Sequence, residues 1–371
     1  MITVLVASRN GSRYIEQQLD SILAQSLKDI CILVSDDCSD DGTRELLAGY
    51  EEDHRGRVLV LNRKHASGGA SIHFLKLLKL MADCRDCHRL DQVRELLEDE
   101  TWEANTGEAG AGEDKAMALL KMAGAGYFML SDQDDVWMPY KAEVLLEKIR
   151  EMEGRQGGGD GGRDGDGDGG RDGDGDGGRA ILVHSDLQVV DENLQPIADS
   201  FFRYQKISPE RTRLRQLLVQ NNVTGGAVML NQAMLPFLKR IPGTCLMHDA
   251  WLALIASCFG AIGCVERPLY YYRQHGANTL GAEKGDSMES LAARVKDGSS
   301  ARDNYRKMFG QAECFYTMFG DRLEGGERET LEAFIRLPRQ GRLGKIGLIL
   351  RYGFTKNTLL RTLGQMLFMG D

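Results

Sequence analysis

Short apolar runs alternate with amphipathic stretches through the first eighty residues. Ile2 to Ala7 is apolar enough for a buried strand, and residues 12 to 25 place Ile15, Leu19, Ile22 and Leu23 on one helical face. Ile30 to Ser35 predicts a second strand, followed by the polar turn Asp36-Asp37-Cys38-Ser39-Asp40-Asp41-Gly42-Thr43 that opens another helix. Val58 to Leu61 predicts a third strand. After Gly68-Gly69 a helix carries Ile72, Leu75, Leu78 and Leu80. Strands alternating with helices predict an α/β fold with a parallel sheet and right-handed crossovers.

Two segments break this rhythm. Residues 83 to about 124 are charged and Gly/Ala-rich, with one helical piece near 89–99, and read as an insertion. Residues 154–179 contain Gly-Gly-Arg-Asp-Gly-Asp-Gly-Asp twice in tandem. That segment holds too little apolar surface to offset its ordering entropy and reads as a disordered, solvated linker. Its eight-residue period lacks the apolar residue that each turn of a calcium-binding β-roll needs. Between them, Tyr127 to Ser131 resumes the strand pattern, with a helix expected from Pro139. Strands are expected again at Ile181 to Asp186, Ala227 to Leu230, Ala261 to Val265 and Leu269 to Tyr272. Helices are expected near 210–219, 231–240 and 248–258, and the last hundred residues read as helical. The expected layout is a catalytic domain over 1–281 carrying both insertions, and a helical C-terminal region over 282–371.

Composition narrows the class. A net charge of -9 argues against nucleic-acid binding. From Arg336 to Gly370, however, there are seven Lys or Arg and no Asp or Glu. Apolar residues are interspersed there, so the region suits an amphipathic basic helix on an anionic inner membrane leaflet. A helical pair packed on the catalytic domain or in a dimer explains the pattern equally well. No uninterrupted apolar stretch is long enough to span a bilayer, and the N-terminus lacks a secretory signal, so a cytoplasmic role is expected. Eight scattered cysteines fit a reduced compartment. Cys84-Arg85-Asp86-Cys87-His88 matches the haem-attachment spacing, but without an export signal it reads as chance.

The chemistry is concentrated in Ser131-Asp132-Gln133-Asp134-Asp135-Val136-Trp137. Three carboxylates follow directly on a buried strand, and open α/β sheets bind ligands at such carboxyl ends. Carboxylates so close repel one another unless a cation sits among them. A divalent metal carrying a diphosphate meets that need. The bland alternative is a capped loop, with Asp135 favouring the start of the next helix.

Further motifs share an order with this one. They are Val6-Ala7-Ser8-Arg9-Asn10-Gly11, Val34 to Thr43, Asn62-Arg63-Lys64, Gly68-Gly69-Ala70-Ser71, Thr224-Gly225-Gly226, His248-Asp249-Ala250-Trp251 and Tyr272-Arg273-Gln274-His275-Gly276-Ala277-Asn278. In this order, residues 1–82 and 125–281 resemble the inverting family 2 glycosyltransferases of GT-A fold, in particular the bacterial rhamnosyltransferase-like branch.

The resemblance implies a Rossmann-like, mostly parallel sheet flanked by helices, and a role for each matching residue. Asp249 is the catalytic base that takes the acceptor hydroxyl proton, and an ordinary ionised Asp suffices for this. Asp134 and His275 hold Mn²⁺ or Mg²⁺, and Asp132 lies by the donor ribose. Asp36 or Asp37, with Asp37 favoured, accepts from a uracil or thymine N–H. Ser8 and Arg9 line the nucleotide pocket, and Lys64 contacts the nucleotide or sits on the surface. Arg273 pairs with the diphosphate or braces a carboxylate. Thr224, Gly225, Gly226, His248 and Trp251 border the sugar and acceptor, and His184, Ser185 and Asp186 face the donor sugar. The implied donor is a dTDP- or UDP-sugar, with L-rhamnose the favoured sugar. The acceptor is a glycan or lipid-linked glycan intermediate of a surface polysaccharide such as O-antigen.

Two other classes compete. A nucleotidyltransferase needs a Gly-rich basic loop for triphosphate, of which Ser8-Arg9-Asn10-Gly11-Ser12-Arg13 is a poor version. A silent nucleotide-sugar-binding module is expected to have lost Asp134, Asp249 or His275, all of which are present.

Overall fold

The computed structural model describes residues 1–87, 89–98, 101–103, 111–155, 178–276 and 298–368. The tandem Gly/Asp/Arg repeat, His88, Ala277, Asn278 and the expected domain boundary near 281 lie outside the described residues.

The N-terminal rhythm is β1 (Ile2–Ser8), α1 (Ile15–Leu23), β2 (Ile30–Asp36), α2 (Thr43–Asp53), β3 (Val58–Asn62) and α3 (Ala70–Asp86). Then follow α4 (Leu90–Glu98), α5 (Ala111–Ala123), β4 (Tyr127–Asp132), β5 (Val136–Trp137) and α6 (Lys141–Gly154). The second half holds β6 (Ala180–Val190), β7 (Pro196–Ala198), α7 (Phe201–Gln205), α8 (Leu214–Leu217), β8 (Val228–Asn231), α9 (His248–Phe259) and β9 (Gly260–Arg273). Four helices close the chain: α10 (Gly298–Phe319), α11 (Gly325–Arg336), α12 (Arg342–Tyr352) and α13 (Leu359–Phe368).

One sheet runs in the order β3-β2-β1-β4-β8-β6-β9-β5, with β7 on β6. It is parallel from β3 to β4 and again between β6 and β9, while β8 and β5 pair antiparallel with their neighbours. The strands alternate between two cores. Leu5, Leu33, Leu59, Phe128 and Leu130 face one side, and Val4, Val6, Ile32, Val34 and Met129 face the other. Burial on both faces is why these strands read as continuous apolar runs.

Register sets the site. Ser8 pairs with Asp36, Asp36 with Asn62, and Ala7 with Asp132. The carboxyl ends of four parallel strands therefore end level, with their polar residues along one edge. β1 lies between β2 and β4, the point where strand order reverses and a crevice opens.

Several expectations change. Within the expected insertion, the described residues Val93, Trp102, Ala116, Leu119 and Met122 are buried in the core, and α5 leads directly into β4. The helix expected over 231–240 is a 3₁₀ segment, Gln232–Phe237, containing Pro236, which lacks the N–H an α-helix interior needs. The two strands expected after residue 260 are one long strand with register irregularities against β6. The C-terminal helices pack on the catalytic part. Phe315 and Phe319 lie against Trp251, and Asn357 accepts from Ser208 N at 2.8 Å. One side remains uncovered, with Leu343 86% and Leu359 77% exposed. Cys84 is buried, and all eight cysteines are free thiols.

Candidate functional site

Gln133 organises the loop after β1. Its Oε1 accepts from Arg9 N at 2.7 Å and Ser8 Oγ at 3.1 Å, and its Nε2 donates to Arg9 O at 2.9 Å. A Cβ on Gly11 would lie 2.4 Å from Gln133 Oε1, so a larger residue there would displace the Gln133 amide from these bonds. The Arg9 side chain stays exposed.

Asp36 and Asp37 differ sharply. Asp36 is fully buried and takes Ser39 N (2.9 Å), Ser39 Oγ and Arg44 Nε (2.8 Å). Through these bonds it anchors the turn into α2. Asp37 accepts from Ser67 N at 2.6 Å and Ser67 Oγ at 2.7 Å, with Arg63 Nε 3.3 Å away. A carboxylate has about four acceptor positions, so Asp37 retains capacity for one more donor. Lys64 is exposed and lines a cavity of about 240 Å³ with Asn62, Arg94 and Trp102.

The three carboxylates after β4 have three different surroundings. Asp134 Oδ2 lies 2.8 Å from His275 Nε2, so the two groups expected to bind metal converge. Asp132 is pushed up to about 7 by burial, then by the charges of Asp134 and Asp249. Asp135 is not an exposed helix cap. It is buried, its Oδ1 accepts from Arg273 N at 3.2 Å, and its Oδ2 has no partner. Burial raises its carboxyl well above the usual range, with Asp134 and Asp132 adding repulsion.

Among the described residues, no three potential metal-binding side chains form a cluster. Asp134 and His275 are the residues that would hold an ion, beside carboxylates whose mutual repulsion a cation would relieve.

Arg273 was expected to face a diphosphate or brace a carboxylate; its guanidinium holds main-chain and amide oxygens. Its Nε donates to Asp134 O at 2.8 Å, Nη1 to Glu192 O at 2.6 Å and Nη2 to Gln17 Oε1. Its charge lies 4.5 Å from the Tyr14 ring centroid.

Asp249 lies at the start of α9, 8% exposed. Its Oδ1 accepts from Asn221 Nδ2 at 3.0 Å and its own chain neighbour Ala250 N at 2.6 Å, and its Oδ2 accepts from Gly225 N at 3.1 Å. Burial raises its carboxyl to about 7 against those hydrogen bonds, a larger shift than the sequence reading required. The next residue, Gly226, faces the other carboxylates. A Cβ there would lie 3.3 Å from Asp135 Oδ2 and Tyr270 Oη and 3.4 Å from Asp132 Oδ2. One peptide step thus separates the group held by Asp249 from the acidic cluster. Thr224 begins this turn, accepting from Ala227 N at 2.9 Å.

Other expected pocket residues are placed elsewhere. Trp251 is fully buried against Phe315, a core residue rather than an acceptor platform. His248 is buried beside Phe74 and beneath Gly225, where a Cβ would lie 2.2 Å from its Nε2. Burial lowers it to about 3, so it is neutral at physiological pH and supports the turn from below. Asp186 accepts from Phe202 N at 3.1 Å and from Ser200 Oγ, which fixes α7 instead of facing a sugar. His184 is wholly buried.

The sequence reading missed Lys141. It is fully buried, with Nζ 3.8 Å from the Trp137 ring centroid, 4.2 Å from that of Tyr270, and bonded to Gly226 O. Burial lowers its ammonium well below the usual value while Asp135 and Asp132 oppose that shift. One signal was legible: a lysine in the first turn of a helix opposes the macrodipole and needs another reason. Lys141→Met is expected to leave Gly226 O unpaired, costing about 2 kcal/mol in urea denaturation. An unchanged unfolding midpoint would show that this bond is not needed.

Comparison with known proteins fits this geometry. Residues 3–79 match the family described as Glycosyl transferase family 2. The dTDP-rhamnosyl transferase RfbG of Shigella flexneri is 35% identical over 74 residues, 20% of this chain and 26% of RfbG. The putative teichuronic acid biosynthesis glycosyltransferase TuaG of Bacillus subtilis (strain 168) is 36% identical over 80 residues, 21% of this chain and 31% of TuaG. The chain thus aligns with about a quarter to a third of the length of these relatives. The crystal structure of S. aureus TarS 1-349 superposes with a TM-score of 0.50 at 13% identity, covering 94% of this chain and 72% of that one. That likeness carries the fold: the α/β GT-A architecture with C-terminal helices is the one expected from the sequence.

Proposed function

We propose that this chain is a metal-dependent inverting glycosyltransferase. It moves a sugar from a dTDP- or UDP-sugar to a hydroxyl of a glycan or lipid-linked glycan in surface-polysaccharide synthesis. L-Rhamnose is the favoured sugar, a choice supported by the local likeness to RfbG. The observation that carries the reading is the Gly225-Gly226 step, which has Asp249 on one side and Asp132 and Asp135 on the other. A base and an acidic, metal-suited cluster across so short a gap match what displacement at one carbon requires.

In this reading Asp249 takes the proton of the acceptor hydroxyl as its oxygen bonds to the anomeric carbon. The bond from that carbon to the diphosphate breaks on the opposite face, and its electron pair leaves with the nucleoside diphosphate. The configuration therefore inverts, from a β-L-linked donor to an α-L product. A divalent ion at Asp134 and His275 supplies the charge neutralisation the departing diphosphate needs. Asp132 lies by the ribose, and Asp37 accepts the base N–H.

The test is a thermal-shift screen of nucleotide sugars with and without Mn²⁺, followed by a transfer assay. A selective, metal-dependent shift with one pyrimidine donor is expected. Absence of both hydrolysis and transfer with every donor would sink the reading.

The C-terminal region enters the same proposal as a peripheral contact with the cytoplasmic membrane face. Among the described residues no helix is long and apolar enough to cross a membrane. Leu343 and Leu350, two helical turns apart on α12, are 86% and 67% exposed beside exposed Arg342 and Arg351. Exposed leucines with basic neighbours suit an anionic interface. Flotation with phosphatidylglycerol vesicles is expected to carry the protein up, and Leu343→Ser/Leu350→Ser to reduce this. Equal recovery of both proteins would refute the contact.

A further inference from the structure

The segment 101–103 lay outside every motif that pointed to function, yet it docks on the nucleotide end of the sheet. Trp102 forms a β-bridge with Arg63, Lys64 N donates to Thr101 O at 3.1 Å, and Glu103 N donates to Asn62 O at 2.9 Å. It therefore pairs antiparallel, through one isolated bridge, with the chain at the end of β3. Its side chains meet two arginines. Arg44 Nη1 lies 2.9 Å from Glu103 Oε1 while its Nε holds Asp36 Oδ2 at 2.8 Å. The Arg63 guanidinium lies 5.2 Å from the Trp102 ring centroid while its Nε lies 3.3 Å from Asp37 Oδ1. Arg44 Nη2 also donates to Arg63 O at 3.2 Å, tying the two arginines together. Adjacent carboxylates are thus each held by an arginine, and each arginine by a residue of one short segment.

A further observation points to a ligand. Arg63 is 3% exposed, and its Nη1 has no hydrogen-bond partner. Buried donors are rarely left unpaired, and a pyrimidine ring carbonyl is an acceptor that can satisfy one.

We propose that Trp102 and Glu103 are positioning residues for the donor's base: they hold Arg63 and Arg44 on Asp37 and Asp36, and so set affinity for a pyrimidine nucleoside diphosphate. This rests on the glycosyltransferase reading above. Glu103 is suited to a test because its side chain is 41% exposed, so its ion pair contributes little to stability by itself. A bare scaffold role predicts loss of folding, whereas a positioning role predicts a change in donor recognition alone.

The experiment is calorimetric titration of the full chain, wild type, Glu103→Gln, Trp102→Leu and Trp102→Phe, with UDP, dTDP and GDP, alongside steady-state kinetics and melting curves. Glu103→Gln and Trp102→Leu are expected to weaken UDP and dTDP binding about tenfold. Donor KM should rise in step, with kcat and acceptor KM unmoved and the preference over GDP reduced. Trp102→Phe, which keeps an aromatic face for Arg63, should restore most of the affinity. Wild-type affinity in both variants would overturn the proposal while leaving the glycosyltransferase reading intact. A fall in kcat and melting temperature without a change in nucleotide affinity would overturn it too. A wild-type chain that binds none of the three nucleotides would overturn both.

Discussion

Asp249→Asn is expected to lower kcat by about 10³-fold, within the range that a positioned general base contributes. Donor KM should change little, because Asp249 is bonded to Asn221, Ala250 and Gly225 rather than placed at the nucleotide end. The asparagine oxygen can keep one side of this network, while its amide cannot accept from the opposing N–H. A pH profile gives a second readout. Burial raises Asp249 to about 7, so the proton-accepting form is depleted below that pH and kcat should climb as pH rises through it. The stability sign is opposite. A carboxyl whose folded value exceeds its unfolded value stabilises at low pH and loses that contribution as pH rises through about 7. Asp249→Asn should therefore melt no lower than wild type at pH 8, relative to its position at pH 6. Retention of wild-type kcat, or a pH profile flat across neutrality, would remove Asp249 from the catalytic role.

Asp134→Ala is expected to cost about 10³-fold in kcat/KM and to abolish the Mn²⁺-dependent part of donor binding, since charge neutralisation at a leaving diphosphate is worth several kcal/mol. Its Oδ2 lies 2.8 Å from His275 Nε2, so the substitution also removes the group that orients the imidazole. Arg273 bonds to the backbone oxygen of Asp134 and should stay in place, which keeps the loop folded. Donor titration with Mn²⁺ and with EDTA separates the effects. The wild type should lose affinity in EDTA, while Asp134→Ala should show the same weak affinity in both. A metal-dependent increase in the variant's affinity would refute the assignment.

Asp36 and Asp37 show where sequence reading stops. Adjacent and chemically identical, they offer the same motif, yet Asp36 ends β2 and Asp37 begins the turn, and their side chains meet different partners. One faces Ser39 and Arg44, the other Ser67 and Arg63. Trp251 teaches the same lesson: beside Asp249 in sequence, it points from α9 into α10 while its neighbour faces the site. Within 83–124, Val93, Trp102 and Met122 are sparse among charges, and only packing reveals that they share a core.

The sequence by itself determined the α/β rhythm, the strand ends where polar residues gather, and the Asp132-Gln133-Asp134-Asp135 cluster of adjacent carboxylates. These depend on period and local composition, which a single chain displays directly. Tertiary structure alone decided that Gly225-Gly226 separates Asp249 from that cluster, that Lys141 is buried beside it, and that residues 101–103 hold Arg44 and Arg63 at the end of β3. Most of these contacts join residues tens of positions apart and are set by how the two cores close on the sheet. Neither apolar period nor motif spacing encodes which polar side chain is left facing the gap.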